Sequence, residues 1–552
     1  MPPIRQTGVA PVMIVLKILL ALAAMLVVAG LAIRLLHPLP ALEPRDATHA
    51  LTDTAATPLG RGALTQSSAH PGMSGLHPLN DGRSAFAARV LLARAAVRSL
   101  DVQYYIWHGD LSGSLLLEEM HKAADRGVRV RMLLDDNGIT GLDETLAALD
   151  AHPNVEVRIY NPFTIRRPKQ IGYLADFPRL NRRMHNKSFT ADTQATIIGG
   201  RNVGDEYFGA RDEGLFADLD VLAVGPVVAD VSRDYDRYWN SASAYPAARI
   251  LPPVPAARLS ALVAAAGTAG RDPQARSYLE AIQALPIINQ VRDGSLPFTW
   301  APVKMLSDDP AKTLGGARDT GLLWSKLTAA LGTPRTSIDL VSGYFVPTAA
   351  GTAAFAGLAR KGLSVSILTN AYEATDVGIV HAGYAERRKA LLAAGVKLYE
   401  MRAPGDGGDL TPPSRRLLGS GSGLGSGSGS GGVSGSGQVL RSSASTLHAK
   451  TFAVDGRRIF IGSFNFDPRS MHLNTELGFL IDSPPLAATL DRLFVDGIPQ
   501  RAYQVILTPA GDLAWIERDG TRTVVHRTEP GTSWISRTAI ALLSKLPIEW
   551  ML

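Results

Sequence analysis

Two short segments carry reactive residue types at matched spacing. The first is His185-Asn186-Lys187, with Asp192 five residues beyond the lysine and Gly199-Gly200-Arg201-Asn202 after it. The second is His448-Ala449-Lys450, with Asp455 five residues on, then Gly462-Ser463-Phe464-Asn465. Every shared position is displaced by the same interval as His185 to His448. In an extended strand, residues two apart share a face, so each histidine points with its lysine while the residue between points away. Asp455-Gly456 reads as a hairpin turn, and Arg458–Ile461 as the returning strand that carries Ser463 and Asn465 back toward His448. An imidazole, an ammonium and a carboxamide from each half, with one hydroxyl, supply two nucleophile or acid candidates and two cations for a phosphoryl group. Asp455 sits at the turn, so a structural role is expected for it and for its counterpart Asp192, as for Gly199 and Gly462.

The elements that must position these residues repeat as well. Ala85–Arg98 reads as a helix, Leu100–Ile106 as a strand, Leu115–Arg126 as a helix stopped by Gly127, and Val128–Leu134 as the next strand. Ser337–Phe345, Thr352–Lys361, Gly362 and Leu363–Asn370 reproduce that order, and ADRGVRVRMLLDD is answered by ARKGLSVSILTNA. Strands alternating with helices predict an α/β fold with a parallel or mixed sheet.

The duplicated His-x-Lys-x4-Asp pattern, followed once by Gly-Ser-x-Asn, resembles the signature of the phospholipase D superfamily. The resemblance covers both motifs and, more loosely, residues 75–505. QYYIWHGD, ADRGVRVRMLLDD, GGRNVGDEYF and the terminal LPIEWML are similar to the bacterial cardiolipin synthase branch. It implies two phospholipase D-like domains, each a mixed β-sheet flanked by helices, packed as a pseudo-dimer around one site. One histidine would attack phosphorus to give a phosphohistidine, the other would protonate the leaving alkoxide, and no metal or cofactor is implied. The resemblance makes His185 the nucleophile and His448 the acid. It also places a carboxylate behind each histidine. For His448 the candidate is Glu476, opening the strand LGFLID. For His185, fixed spacing selects Glu213, whereas alignment on Pro226 and Pro484 selects Asp218, preferred because a strand start holds it more firmly. One departure is plain: Gly200 stands where the second motif has Ser463, leaving only a backbone N–H there.

Composition bounds the rest. The chain has 552 residues, 46% apolar and 19% charged, with a net charge of +6 and no cysteine. That length calls for more than one core, and the mild basic excess fits contact with anionic lipid or phosphate without arguing for nucleic acid. Thiolate zinc sites, disulfides, iron–sulfur clusters and cysteine nucleophiles are excluded. From Val9 to Ile33 the only charge is Lys17, and at about 1.5 Å per residue this stretch covers roughly 37 Å, enough for a hydrocarbon core of about 30 Å. An uncleaved anchor is preferred over a cleaved signal peptide. Arg5 and Lys17 on one side and Arg34 and Arg45 on the other give little orientation bias; a bacterial inner-membrane, single-pass protein with its catalytic part on the periplasmic side is expected.

The resulting organisation is an anchor (1–34), a tether (35–74), a first phospholipase D-like domain (75–250), a connecting segment (251–325), a second domain (326–505) and a carboxyl-terminal extension (506–552). Residues 419–437 hold ten Gly and seven Ser and read as a flexible insertion in the second domain. In the extension, Trp534–Leu552 reads as core packing or as an interfacial helix with Trp534 and Trp550 at headgroup depth. Arg166, Arg167, Lys169, Arg182 and Arg183 form either a solvated loop or a funnel for headgroup phosphates. Asp135-Asp136 reads as a strand-end turn in preference to a metal pair. His108, His121, His381, His472 and His526 show no ligand spacing. The function expected is a membrane-anchored phosphatidyltransferase making cardiolipin from phosphatidylglycerol and a second phospholipid. Its partners would be phospholipids and membrane, not nucleic acid. The rivals are a hydrolase, meaning a phospholipase D or phosphodiesterase including a nuclease, using the same residues, and a tethered scaffold with a relic site.

Overall fold

The computed structural model describes residues 9–210, 217–255, 257–261, 273–375, 377–403, 447–545 and 549–552. Glu213 and the Gly/Ser stretch 419–437 lie outside them. Among the described residues, nine strands form a first sheet: β1 Ser74–Leu79, β2 Ser99–Ile106, β3 Arg129–Gly138, β4 Val155–Tyr160, β5 Ser188–Ala191, β6 Ala195–Gly199, β7 Asp220–Val224, β8 Ala244–Pro246 and β9 Thr299–Ala301. Their spatial order is β8-β4-β3-β2-β5-β6-β7-β1-β9. A second sheet follows: β10 Val303–Ser307, β11 Ser337–Ser342, β12 Ser364–Asn370, β13 Lys397–Met401, β14 Lys450–Val454, β15 Arg458–Gly462, β16 Leu477–Asp482, β17 Ala502–Leu507, β18 Leu513–Asp519 and β19 Arg522–His526. Its order is β10-β16-β15-β14-β11-β12-β13-β17-β18-β19.

Both sheets are mixed. β2, β3 and β4 run parallel, as do β11, β12 and β13, and each trio joins an antiparallel hairpin that carries one motif. The repeated helices form where the periodicity placed them. Asp81 and Asp110 cap Gly82–Ala95 and Leu111–Asp125 through the backbone N–H groups of Ser84 and Gly113. Gly127 and Gly362 stop the matching helices with φ of +91° and +93°, a conformation side chains resist. One hydrophobic cluster draws Leu76, Ile198 and Val221 from the first sheet and Ile461, Phe479 and Ile481 from the second. The two sheets thus share a core, with the motif hairpins in it.

Each motif aspartate fastens its hairpin. Asp192 and Thr193, like Asp455 and Gly456, take positive φ at the turn. The Asp192 carboxylate accepts the N–H groups of Val97, Arg98 and Ser99, and Asp455 accepts those of Arg335, Thr336 and Ser337. Both clamp the turn to the start of the first strand of the parallel trio in their half, β2 and β11. Asp192→Ala should therefore destabilise the fold by about 1–3 kcal/mol for each N–H left buried without a partner, checked by urea unfolding of the purified protein.

At the amino end, α1 (Val9–Leu36) is a single helix, and Leu16–Leu36 is long and apolar enough to cross a membrane. Residues 35–70 are less free than a tether. Arg45 donates to the carbonyls of Asn240, Ser241 and Ala244, and Thr57 caps a helix over Pro58–Ser67. An arginine with three carbonyl acceptors is held where composition alone reads a spacer. At the other end, residues 502–526 add three strands to the second sheet. Trp534–Leu543 packs only part of itself, against Tyr372, Ala382 and Ile379.

Candidate active site

The two motifs meet at the junction of the sheets. The His185 N–H donates to the Thr475 carbonyl (2.9 Å), and the His448 N–H donates to that of Ala217 (2.8 Å). Each histidine-bearing segment is therefore stitched to the opposite half, at the residue just before that half's carboxylate. The carboxylates follow. His185 Nδ1 donates to Glu476 (2.8 Å), and His448 Nδ1 donates to Asp218 (2.6 Å). This exchanges the expected partners, which paired Asp218 with His185 and Glu476 with His448. The reason is geometric. β6 lies between β5 and β7, so two inter-strand spacings, about 9–10 Å, separate each histidine from the carboxylate of its own half. Only the facing sheet brings one within hydrogen-bond reach. With Nδ1 spent as donor, each imidazole keeps Nε2 as its reactive atom.

The other site candidates divide. Lys187 and Lys450 are buried, and each folds back to donate to the carbonyl of its own histidine. The Ser463 hydroxyl, expected to meet a phosphoryl oxygen, donates to Glu476 (2.5 Å). Ser470 also donates to Glu476 (2.8 Å). That residue was not singled out from sequence, and only the helix following the second motif brings it there. Asn202 spends its carboxamide on the Ile106 N–H and the Tyr207 hydroxyl, and the Tyr207 ring packs edge-on against His448. Asn465 is buried, and among the described residues its Oδ1 has no hydrogen-bond partner. Gly200 is explained by its neighbour: a Cβ there would stand 2.1 Å from Asp218 Oδ1. The shorter carboxylate fills the space that the serine side chain fills beside Glu476.

A sequence model described as "Cardiolipin synthase, PLD-like domain" matches residues 90–239 and 433–496. The chain is 46% identical over 494 residues to cardiolipin synthase C of Escherichia coli K12, covering 90% of this chain and 99% of that protein. The chain belongs to the phospholipase D-like cardiolipin synthases. An uncharacterized protein of Helicobacter pylori 26695 is 30% identical, covering 88% of this chain and 91% of its own. Among solved structures, phosphatidylserine synthase of Haemophilus influenzae Rd KW20 shares the fold, with a TM-score of 0.53 at 13% identity, covering 89% of this chain and all of that one. The family, the mixed sheets and the apolar amino-terminal helix together make this a phosphatidyltransferase of the phospholipase D type and a bacterial membrane protein.

The electrostatics of this cardiolipin synthase family member are asymmetric. Burial, with Lys187 and Lys450 nearby, holds His185 well below its ordinary range, while burial pushes Glu476 up to about 7. His185 is therefore neutral, and the carboxylate behind it is only partly ionised near neutral pH. Burial also lowers His448, to about 3, but Asp218 beside it is held below the usual carboxylate range by His448 and Lys450 despite its own burial. His448 thus faces a more fully ionised carboxylate than His185 does, which offsets part of its burial, and both imidazoles are neutral in the free protein. Burial brings Lys187 down to about 7. Two buried lysines near enough to act on each other's charge form a receptacle for an anion.

The basic cluster divides: three of its five residues are ion-paired inside the fold, Arg182 donates to the Pro178 carbonyl, and Arg167 is exposed. Arg166 and Lys169 pair with Asp136 (2.5 and 2.8 Å), and Arg183 pairs with Asp135 (2.6 Å). Asp135-Asp136 is spent on these cations. Away from the site, the fold gathers His121, Asp125 and His152. His152 Nδ1 accepts the Asn154 N–H (3.1 Å), which puts its proton on Nε2 toward Asp125 (3.3 Å). The group is hydrogen-bonded as it stands, and ligation through Nε2 would cost that bond.

Proposed function

We propose that this chain makes cardiolipin from phosphatidylglycerol and a second phospholipid by phosphatidyl transfer through His185. The observation that carries the reading is the pair of buried imidazoles, each oriented by the opposite half's carboxylate beside its own lysine. Lys187 and Lys450 hold the phosphodiester oxygens. His448 takes up a proton on Nε2 from solvent as the anionic phosphodiester binds. His185 Nε2 then attacks phosphorus, the bond from phosphorus to the donor's headgroup oxygen breaks, and His448 gives that proton to the oxygen. The headgroup alcohol leaves. A hydroxyl of phosphatidylglycerol then gives its proton to His448 and attacks the phosphohistidine, which frees His185 and forms the second phosphodiester of cardiolipin. The catalytic part faces the periplasm in this reading, with α1 as an uncleaved inner-membrane anchor.

Lipid mass spectrometry of a host lacking its own cardiolipin synthases is the test. Expression of this chain should restore cardiolipin. Phosphatidic acid accumulating without cardiolipin would mean hydrolysis instead.

The lysines add a pH dependence. A phosphodiester needs Lys187 protonated, and in the free protein that charge is lost as pH rises through about 7. kcat/KM should therefore fall by about tenfold per unit above that range. Bound phosphate holds the proton on, so kcat at saturation should fall later. Vesicle assays from pH 6 to 9 separate the two profiles.

A further inference from the structure

One short helix joins the anchor to the site. α2 (Gly172–Leu180), two short helical pieces joined by a kink at Asp176, packs against α1, with Gly30 buried against it; a Cβ at Gly30 would stand 2.5 Å from the Leu174 carbonyl oxygen. Only glycine lets the two backbones approach so closely. The apolar span ends at Leu36. The first charge toward that end is Arg34, so the contact lies roughly 6 Å along the axis inside it at about 1.5 Å per residue. A headgroup layer is about 5–7 Å deep on each side of the hydrocarbon. With α1 as a span, a helix touching it at Gly30 lies where headgroups meet acyl chains.

The apolar side chains of α2 agree with that depth, and its two charged residues, Asp176 and Arg179, answer each other in an ion pair (2.5 Å). Tyr173 and Leu180 are buried with Phe163, whereas Ile171 and Leu174 expose 37% and 51% of their surface. The inner face leads to the nucleophile. The Tyr173 hydroxyl donates to Asn137 Oδ1 (3.3 Å), the Asn137 amide donates to the Tyr105 hydroxyl (3.0 Å), and the Tyr105 ring meets His185 edge-on at 5.2 Å. The chain's other end arrives at the same place. The Arg469 guanidinium donates to the carbonyl of Asn181, the residue after α2, and the Arg469 backbone N–H donates to the carbonyl of Leu552, with Trp550 more than half exposed nearby.

We propose that α2 is a membrane lip. Its exposed apolar face enters the leaflet that the catalytic part faces at the boundary of headgroups and acyl chains, with Trp550 at headgroup level. A phospholipid reaches His185 past it without leaving the bilayer. The occupant of the exposed face is lipid because that face continues the apolar surface of α1 at the same depth. The inference rests on α1 being an uncleaved span and adds where the site sits relative to it.

The chain has no cysteine, so single nitroxide labels can be introduced directly. Leu22→Cys reports on the anchor and Leu174→Cys on the lip. Lys361→Cys, at the opposite end of the parallel strands from the histidines, reports on water. In vesicles of phosphatidylglycerol and phosphatidylethanolamine, labels at Leu22 and Leu174 should collide several-fold more with oxygen than with a nickel chelate, and the label at Lys361 the reverse. Oxygen preference at Leu22 with nickel preference at Leu174 overturns the lip and leaves the anchor standing. Nickel preference at Leu22 overturns the anchor and the lip with it. Leu174→Asp should also raise KM for vesicle phospholipid several-fold, and an unchanged KM overturns the access role.

Discussion

His185→Ala and His448→Ala should each lower turnover of vesicle phospholipid by several orders of magnitude, and the double variant should be little worse than either alone. Nucleophile and acid serve one reaction, so removing either disables the same step and their losses do not add. The geometry makes the dependence stronger than two linked half-sites would. Each histidine is fixed by a carboxylate from the other half, at 2.8 and 2.6 Å, and each of their backbone N–H groups is tied to the other half's chain. No half is complete without its partner. Product formation by lipid mass spectrometry with purified variants checks this. Two half-active single variants, with only the double variant dead, would contradict a shared site.

The sequence made the machinery legible wherever the information is local. Strand and helix periods, Gly127 and Gly362 as stops, and the matched spacing of the motifs all depend on neighbours along the chain. The turn aspartates could be read for the same reason, since a hairpin and the strand start it clamps belong to one half. The carboxylate partners could not be read this way. Alignment found the right residue types at the right strand starts, but which histidine each one serves is decided by the packing of the two sheets. The role of Ser463 shifted for a related reason: its hydroxyl lies behind His185, on Glu476, and Ser470 joins it from a helix with no motif of its own. Asn202, read from sequence only as one of the site's two carboxamides, braces Tyr207 and the Ile106 N–H, which a spacing pattern does not register. The basic cluster misled because its counter-charges, Asp135 and Asp136, precede it by dozens of residues. Charge read along the sequence does not reveal pairing across a fold.

The exchanged carboxylates give the second large effect, which assigns the two histidines to their steps. Asp218 stands behind His448, so Asp218→Asn removes the charge that favours its imidazolium and can turn the ring to the wrong tautomer. With a natural phospholipid, the leaving alkoxide needs a proton, and loss of general acid catalysis should cost about 10²–10⁴ in rate. A phosphodiester with a p-nitrophenolate leaving group needs no such proton. With it, Asp218→Asn should recover most of the first step, and His448→Ala should still form phosphohistidine on His185 and then stall, because the base for the second step is missing. Glu476→Gln acts on the other imidazole. It removes the carboxylate that orients His185, so it should slow both substrates alike. Rapid-quench counting of p-nitrophenolate, with peptide mapping under alkaline conditions that preserve phosphohistidine, reads each step separately. Label on the His448 peptide, or rescue of Glu476→Gln and not of Asp218→Asn, would reverse the roles of the two histidines. The nucleophile must stay neutral while the acid gains a proton as the anionic substrate binds, and the more fully ionised carboxylate, Asp218, stands behind His448 to stabilise that proton.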